Sequence, residues 1–189
     1  MIRFERVPEP ADFDRRARQP GLTWLAAHSD ATRPKDFWSP FKSQLADGFR
    51  QLCAYSAMYE PVGSVDHFLS CKNHLARAYE WSNYRFSSAW INSSKQNADD
   101  QVLDPHEVED GWFEILLPSL QLVLTDAVPR EWRAQAEHTL RRLHLRDDER
   151  IVRQRRAWYQ MYEEGKLTLE GLHETAPLLA RAIERDRPS

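Results

Sequence analysis

Four residues in the middle of the chain have the types and order that suit phosphodiester hydrolysis: the adjacent pair Asp66-His67, then Asn83, then Asn92. Cleaving such a bond needs a nucleophile made from water and stabilisation of the charge that builds on the phosphoryl oxygens. A histidine, with an ordinary pKa of about 6.5, can take the water proton at neutral pH. A divalent cation held by a carboxylate and one neutral ligand, with positions left open, can supply the charge stabilisation. Asp66 and His67 are consecutive, so on an extended strand their side chains leave opposite faces. Asp66 can then hold a metal while His67 works elsewhere around the phosphate. Taken singly, each residue has a plainer reading: a turn carboxylate, a half-buried ring, a strand-end cap, a solvated helix position. Only the set carries the chemistry.

The elements that must position these residues are legible around them. Phe41, Leu45, Phe49 and Leu52 recur at spacings of four, four and three, which predicts one helix through "PKDFWSPFKSQLADGFRQLCAYSAMYE". "GSVDHF" predicts a short strand opened by Gly63, and "YEWSNYRFSS" a second strand rich in aromatic residues. The polar connection Ser70 to Glu80 between them is long for a hairpin, which marks it as a functional loop. "AWINSSKQN" follows as a short helix, completing a strand, loop, strand and helix order. Beyond Asp104-Pro105, "GWFEILLPSLQLVLT" predicts two strands around Pro118-Ser119, and the chain then turns helical. Pro129 suits a first turn, Trp132, Ala136, Leu140 and Leu143 share one face, a second helix runs from Asp147-Asp148 to Gly165, and a third from Thr168 to Arg185.

The stretch resembles the HNH, or ββα-metal, nuclease superfamily. Residue by residue, Asp66 falls on the metal-binding acid, His67 on the general base, Asn83 on the middle asparagine that holds the loop and the base in place, and Asn92 on the last metal-ligand position in the helix. The wider match "CAY…VDHF…YEWSNYR…INSSK…VLDP…DGWFEI" is similar to a bacterial subgroup related to components of anti-phage systems, and covers roughly Leu52 to Leu117. The resemblance implies an α+β fold: a ββα-metal finger embedded between an N-terminal helix and a C-terminal helical segment. It also implies a metal-dependent endonuclease acting on DNA with Mg²⁺ or Mn²⁺, and a regulatory partner such as an ATPase. Lys72, at the loop position shifted by one residue from the subgroup's pattern, and Lys95 are expected to contact nucleic acid. Many relatives clamp the finger with four cysteines around zinc. Here those positions read Cys53, Ser56, Ser88 and Ile91, so no structural zinc is expected and Tyr55, Phe86, Trp90 and Ile91 are the expected fillers.

Bulk properties set the remaining limits. The 189 residues divide into an irregular N-terminal arm with one short helix near Leu22 to Ala27 (1–33), a nuclease-like core with its following hairpin (34–125), and a helical region packed on it (126–189). The net charge of −3 excludes a generally basic nucleic-acid coat, so contact must come from local patches. One such patch runs from Arg130 to Arg156, with nine arginines against five acidic residues; within it Arg153 and Arg156 share a helix face suited to phosphate contact. Two cysteines, no apolar leader and no long apolar run predict a cytoplasmic protein that makes no use of the membrane. Trp81, Trp90 and Trp112 read as core, His74 as a solvated loop residue, and Cys71 lacks the partners of a nucleophile. The alternative function is a non-catalytic nucleic-acid or protein-binding module on a scaffold that has lost its zinc clamp.

Overall fold

The computed structural model describes residues 1–186, and over these the chain is an α+β protein of seven α-helices and two separate two-stranded antiparallel sheets. In chain order they are α1 (Gln19–Ala27), α2 (Lys42–Gly48), β1 (Ser64–His67), β2 (Tyr84–Ser87), α3 (Ala89–Lys95), β3 (Phe113–Leu116), β4 (Gln121–Leu124), α4 (Arg130–Arg142), α5 (Glu149–Glu163), α6 (Leu169–Thr175) and α7 (Pro177–Asp186).

The first sheet positions the residues of interest. β1 and β2 pair so that Asp66 lies opposite Arg85 and His67 opposite Tyr84. Residues directly opposite in an antiparallel pair share a face, so the two acid-base candidates leave opposite sides of the ribbon. Every residue of β2 is buried, and α3 packs back against β1 after Ser88 opens the helix. A strand, a long loop, a strand and a helix therefore form one ββα unit.

The helix expected through residues 34–59 is only about two turns, preceded by a 3₁₀ turn over Ser39–Phe41, and it ends early. Arg50 and Gln51 both take left-handed backbone conformations, with φ of 55° and 56°, and the Gln51 amide donates back to the Ala46 carbonyl. This is how a helix is terminated and its chain redirected. The chain then folds into a knuckle in which Cys53 N–H donates to Met58 O and Leu52 bridges Tyr59. Periodicity continued across the break because Phe49 and Leu52 are buried by the knuckle rather than by a helix.

The N-terminal arm is far more structured than its composition suggests. A π-helical turn over Asp14–Arg18 runs straight into α1. Met1, Ile2, Phe4, Phe13 and Ala17 join a hydrophobic core that extends to Ile183. Phe13 meets the rings of Phe41 and Trp81 at 5.1 Å each, and Trp81 Nε1 donates to Val7 O at 2.9 Å. The expected third C-terminal helix is two helices. Pro177 opens α7, and Ala176 before it sits at φ −152°, ψ 67°, because the proline ring disfavours a helical conformation in the preceding residue.

α5 begins as expected, with the Asp148 carboxylate accepting from Arg150 N at 3.0 Å. Its arginines divide sharply. Arg155 is 1% exposed and donates to Leu120 O, Arg146 O and Leu145 O at 2.8, 3.0 and 2.7 Å, tying α5 to the β3–β4 hairpin and to the turn after α4. Burial lowers its guanidinium to about 10, still charged at neutral pH. Arg153 is exposed and pairs with Glu149 one turn away, and Arg156 is exposed. Replacing Arg155 by Ala strands the Leu120 and Leu145 carbonyls, Arg146 O keeping its bond from Leu122 N, and should cost about 2 to 4 kcal/mol in urea unfolding, whereas Arg153→Ala should leave the midpoint unchanged. Equal behaviour of the two variants would show that Arg155 is not the fastener described.

Candidate functional site

Asp66 points to the face of the ribbon that α3 covers. It is 2% exposed, and both carboxylate oxygens are engaged: Lys95 Nζ lies 3.1 Å from Oδ1, and the Tyr55 hydroxyl donates to Oδ2 at 2.6 Å. Lys95 is itself fully buried and gives a second bond, 2.9 Å, to the His67 carbonyl. This placement takes Lys95 away from any surface that a nucleic acid could touch, because an ammonium leaves water only for a partner of opposite charge. Burial, with the Asp66 charge beside it, pushes the Tyr55 hydroxyl well above its ordinary value, so it keeps the proton it donates.

His67 lies on the other face, boxed by the rings of Trp38 at 4.6 Å and Tyr84 at 5.0 Å. Its Nε2 is 2.9 Å from the Ala78 carbonyl, which also accepts the Tyr84 hydroxyl at 2.7 Å. A carbonyl can only accept, so Nε2 carries the hydrogen and Nδ1 carries the lone pair. Burial lowers the pKa of the ring below its ordinary value, outweighing the Ala78 bond and the nearby Asp66 charge, which raise it. The ring is therefore neutral at neutral pH.

Asn83 sits in the 3₁₀ turn Trp81–Asn83 that enters β2, one residue before the strand rather than on it. Its side chain closes the loop: Oδ1 accepts from Leu69 N at 2.8 Å, and Nδ2 donates to Leu69 O at 2.9 Å and to Arg77 O at 3.3 Å. The segment that presents Ala78 O to His67 is thus fixed by Asn83. Asn92, on α3, donates through Nδ2 to Ser64 Oγ at 3.1 Å and Val65 O at 3.4 Å, stitching the helix to β1. Asp66, His67 and Asn92 line one open cleft of about 440 Å³.

Two residues of this neighbourhood lack a signal in the sequence. Asp99, 6% exposed at φ 48°, accepts from Ser70 N at 2.6 Å and from Asn73 Nδ2 at 2.5 Å, and lies 3.7 Å from His74 Nε2. Burial works to raise its carboxyl, but the Ser70 and Asn73 bonds outweigh it and hold the group below its ordinary value. It stands in "NADDQ", a polar run that reads as a turn. Arg33, from the arm, reaches the cleft wall. Cys71 lies on the same wall; its thiol is pushed up to about 11, chiefly by burial, so it stays protonated and is no nucleophile. Lys72 is exposed beside it, on an adjoining hollow. Arg153 and Arg156 line neither hollow, although α5 touches α3 where the Arg150 guanidinium stacks on Trp90 at 4.5 Å.

At the positions where relatives of the suggested family carry zinc thiolates, Cys53 faces hydroxyls: its Sγ is 3.7 Å from Ser87 Oγ and 3.8 Å from Ser88 Oγ. Tyr55, Phe86 and Ile91 are buried there, and Trp90 is half-buried under Arg150. Of the residues lining the cleft, Asp66 and Asn92 carry the oxygen donors that would hold a divalent cation of the kind that the resemblance implies. Each carboxylate oxygen has two lone pairs and one protein partner, and both bonds of Asn92 leave through nitrogen. That donor set suits Mg²⁺ or Mn²⁺, which keep several waters, and the Lys95 ammonium beside Asp66 weakens the site. No protein-family model matches the chain, and a search of curated proteins returned no match. Among the described residues no helix is long and apolar enough to cross a membrane.

Breaking the buried pair should be costly. Lys95→Met leaves the Asp66 charge buried beside Tyr55 alone and should lose about 3 to 5 kcal/mol in urea unfolding, with most of it regained in Asp66→Asn/Lys95→Met. A single-variant loss below about 1 kcal/mol would mean that the pair is screened by water.

Proposed function

We propose that the cleft is the site of a metal-dependent HNH-type endonuclease that hydrolyses phosphodiester bonds in DNA. The observation that carries this reading is convergence: strand and helix of one ββα unit bring Asp66, His67 and Asn92 to a single cleft, while Asn83 holds the loop that orients His67. His67 is neutral, with its tautomer set by Ala78, and Nδ1 takes the proton from the attacking water. Asp66 and Asn92 would hold Mg²⁺ or Mn²⁺, whose chemistry when bound is stabilisation of charge on the phosphoryl oxygens. Tyr55 and Lys95 hold the Asp66 carboxylate in place, and Asn92 ties the two ligand-bearing elements together. Subgroup resemblance extends the proposal to an anti-phage effector under a regulatory subunit such as an ATPase.

One observation favours the second reading, a binding module on the same scaffold: the charge of Asp66 is already balanced by Lys95. Supercoiled-plasmid nicking in Mg²⁺ or Mn²⁺ decides between them. The intact protein should nick, and His67→Ala should reduce the rate by at least about 10²-fold. Indistinguishable rates would leave the binding module standing.

The pH profile adds a check with a definite sign. A histidine whose folded pKa lies below its unfolded value remains a competent base until the pH falls through that lower value. The acid limb of kcat/KM, which reports the free protein, should therefore lie below about 6.5. Stability from the neutral ring is present above about pH 6.5 and lost as the pH falls through the folded pKa. An acid limb above 6.5 would assign the base to another group.

A further inference from the structure

The wall of the cleft contains one residue from outside the segment 65–96, and it is a cation. Arg33 comes from the turn after α1 and lines the cleft together with Asp66, His67, Ser70 and Cys71. Beyond it the cleft continues into a second hollow, of about 610 Å³, whose wall again includes Arg33 and Cys71, now with Lys72. Arg33 and Lys72 are both exposed, and neither makes an ion pair or side-chain hydrogen bond among the described residues. Several other cations of the arm and loop are committed, Arg16 to Asp12, Arg18 to Glu9 and Asp14, Arg77 to Glu80, while Arg6 and Arg15 line neither hollow.

A second, independent feature points to the same place. Ser70 is 8% exposed and lines the cleft, yet its Oγ is buried without a hydrogen-bond partner. Its backbone N–H is held by the Asp99 carboxylate at 2.6 Å. A buried hydroxyl without a partner costs free energy unless a ligand meets it. Cys71, between Ser70 and Lys72, keeps its proton and adds no negative charge to repel an anion.

We propose that Arg33, Lys72 and the Ser70 hydroxyl form a subsite for the phosphodiester backbone flanking the bond to be cut, so that the N-terminal arm supplies one wall of the substrate groove. Two unpaired cations and one hydroxyl donor match one or two consecutive phosphates. The choice of a nucleic acid as ligand rests on the nuclease reading. The charge pattern itself calls for a phosphodiester chain, single- or double-stranded.

The test is fluorescence anisotropy of the His67→Ala protein with a labelled 20-base-pair DNA duplex and with its single strand, titrated at several salt concentrations in chelator. Arg33→Ala should lower affinity and reduce the salt slope by about 0.9 on the duplex or about 0.7 on the single strand, and Arg33→Ala/Lys72→Ala by about twice that. Lys166→Ala, an exposed lysine outside the Arg130 to Arg156 stretch that lines neither hollow, should leave the slope unchanged, and melting curves should be the same for all. Slopes unmoved by Arg33→Ala on both probes, or no binding by the parent protein, would overturn the subsite. A slope that falls as expected beside an intact protein that fails to nick plasmid would keep the groove and remove the nuclease.

Discussion

The buried pair of Asp66 and Lys95 is the constraint on which the rest of the ββα unit depends. Neither charge could leave water alone, since an isolated ion in a protein interior costs several kcal/mol even after relaxation. Together, with Tyr55 on the second oxygen and the His67 carbonyl on the ammonium, they satisfy one another. Because Asp66 stands on β1 and Lys95 at the end of α3, the pair also sets the distance and rotation between strand and helix. Asn92, one turn earlier on α3, is delivered to the cleft by that docking.

The opposite face of the ribbon follows a different rule. There the ring of His67 is held by apolar walls and a single carbonyl, and no carboxylate touches it. The strand alternation therefore separates a layer of buried ion pairs from a neutral ring boxed by aromatic side chains. Arg85 continues the charged layer outward through Asp104, bonded at 2.8 and 2.6 Å, and His106 N–H donates to the same carboxylate. Strand register alone thus sorts the ionisable groups into two environments.

How much of this was readable in advance depended on whether a residue's neighbours were near it in sequence. β1, α3, the hairpin at Pro118 and the Asp148 cap follow from local patterns and lie where those patterns put them, while β2 begins only at Tyr84, after a 3₁₀ turn over Trp81–Asn83. Asn83 and Asn92 were legible as a spaced pair. The partners of these residues were not. Lys95 reads as a solvent-facing end of a short helix, and nothing local says that its ammonium turns inward to a carboxylate 29 residues earlier. Arg155 looks like one more arginine in a basic stretch until three carbonyls from the hairpin and the preceding turn surround it. The arm misled through composition: its prolines and charges conceal Phe4, Phe13 and Ala17, whose burial is decided by distant rings. Periodicity likewise carried the α2 prediction past Gly48, since a left-handed pair leaves no mark in the hydrophobic pattern.

The Asp99 clamp bears on when the cleft comes into being. Its bonds to Ser70 and Asn73 span 29 and 26 residues, as long in sequence as the bond between Lys95 and Asp66. Contacts of such separation close late, because the entropy of the intervening chain must be overcome before they return any stabilisation. A chain emerging from the ribosome with β1 and β2 already complete still lacks α3, Asp99 and the fastening of its loop. Whatever chemistry the cleft performs is withheld until the polypeptide has been extended past Asp99.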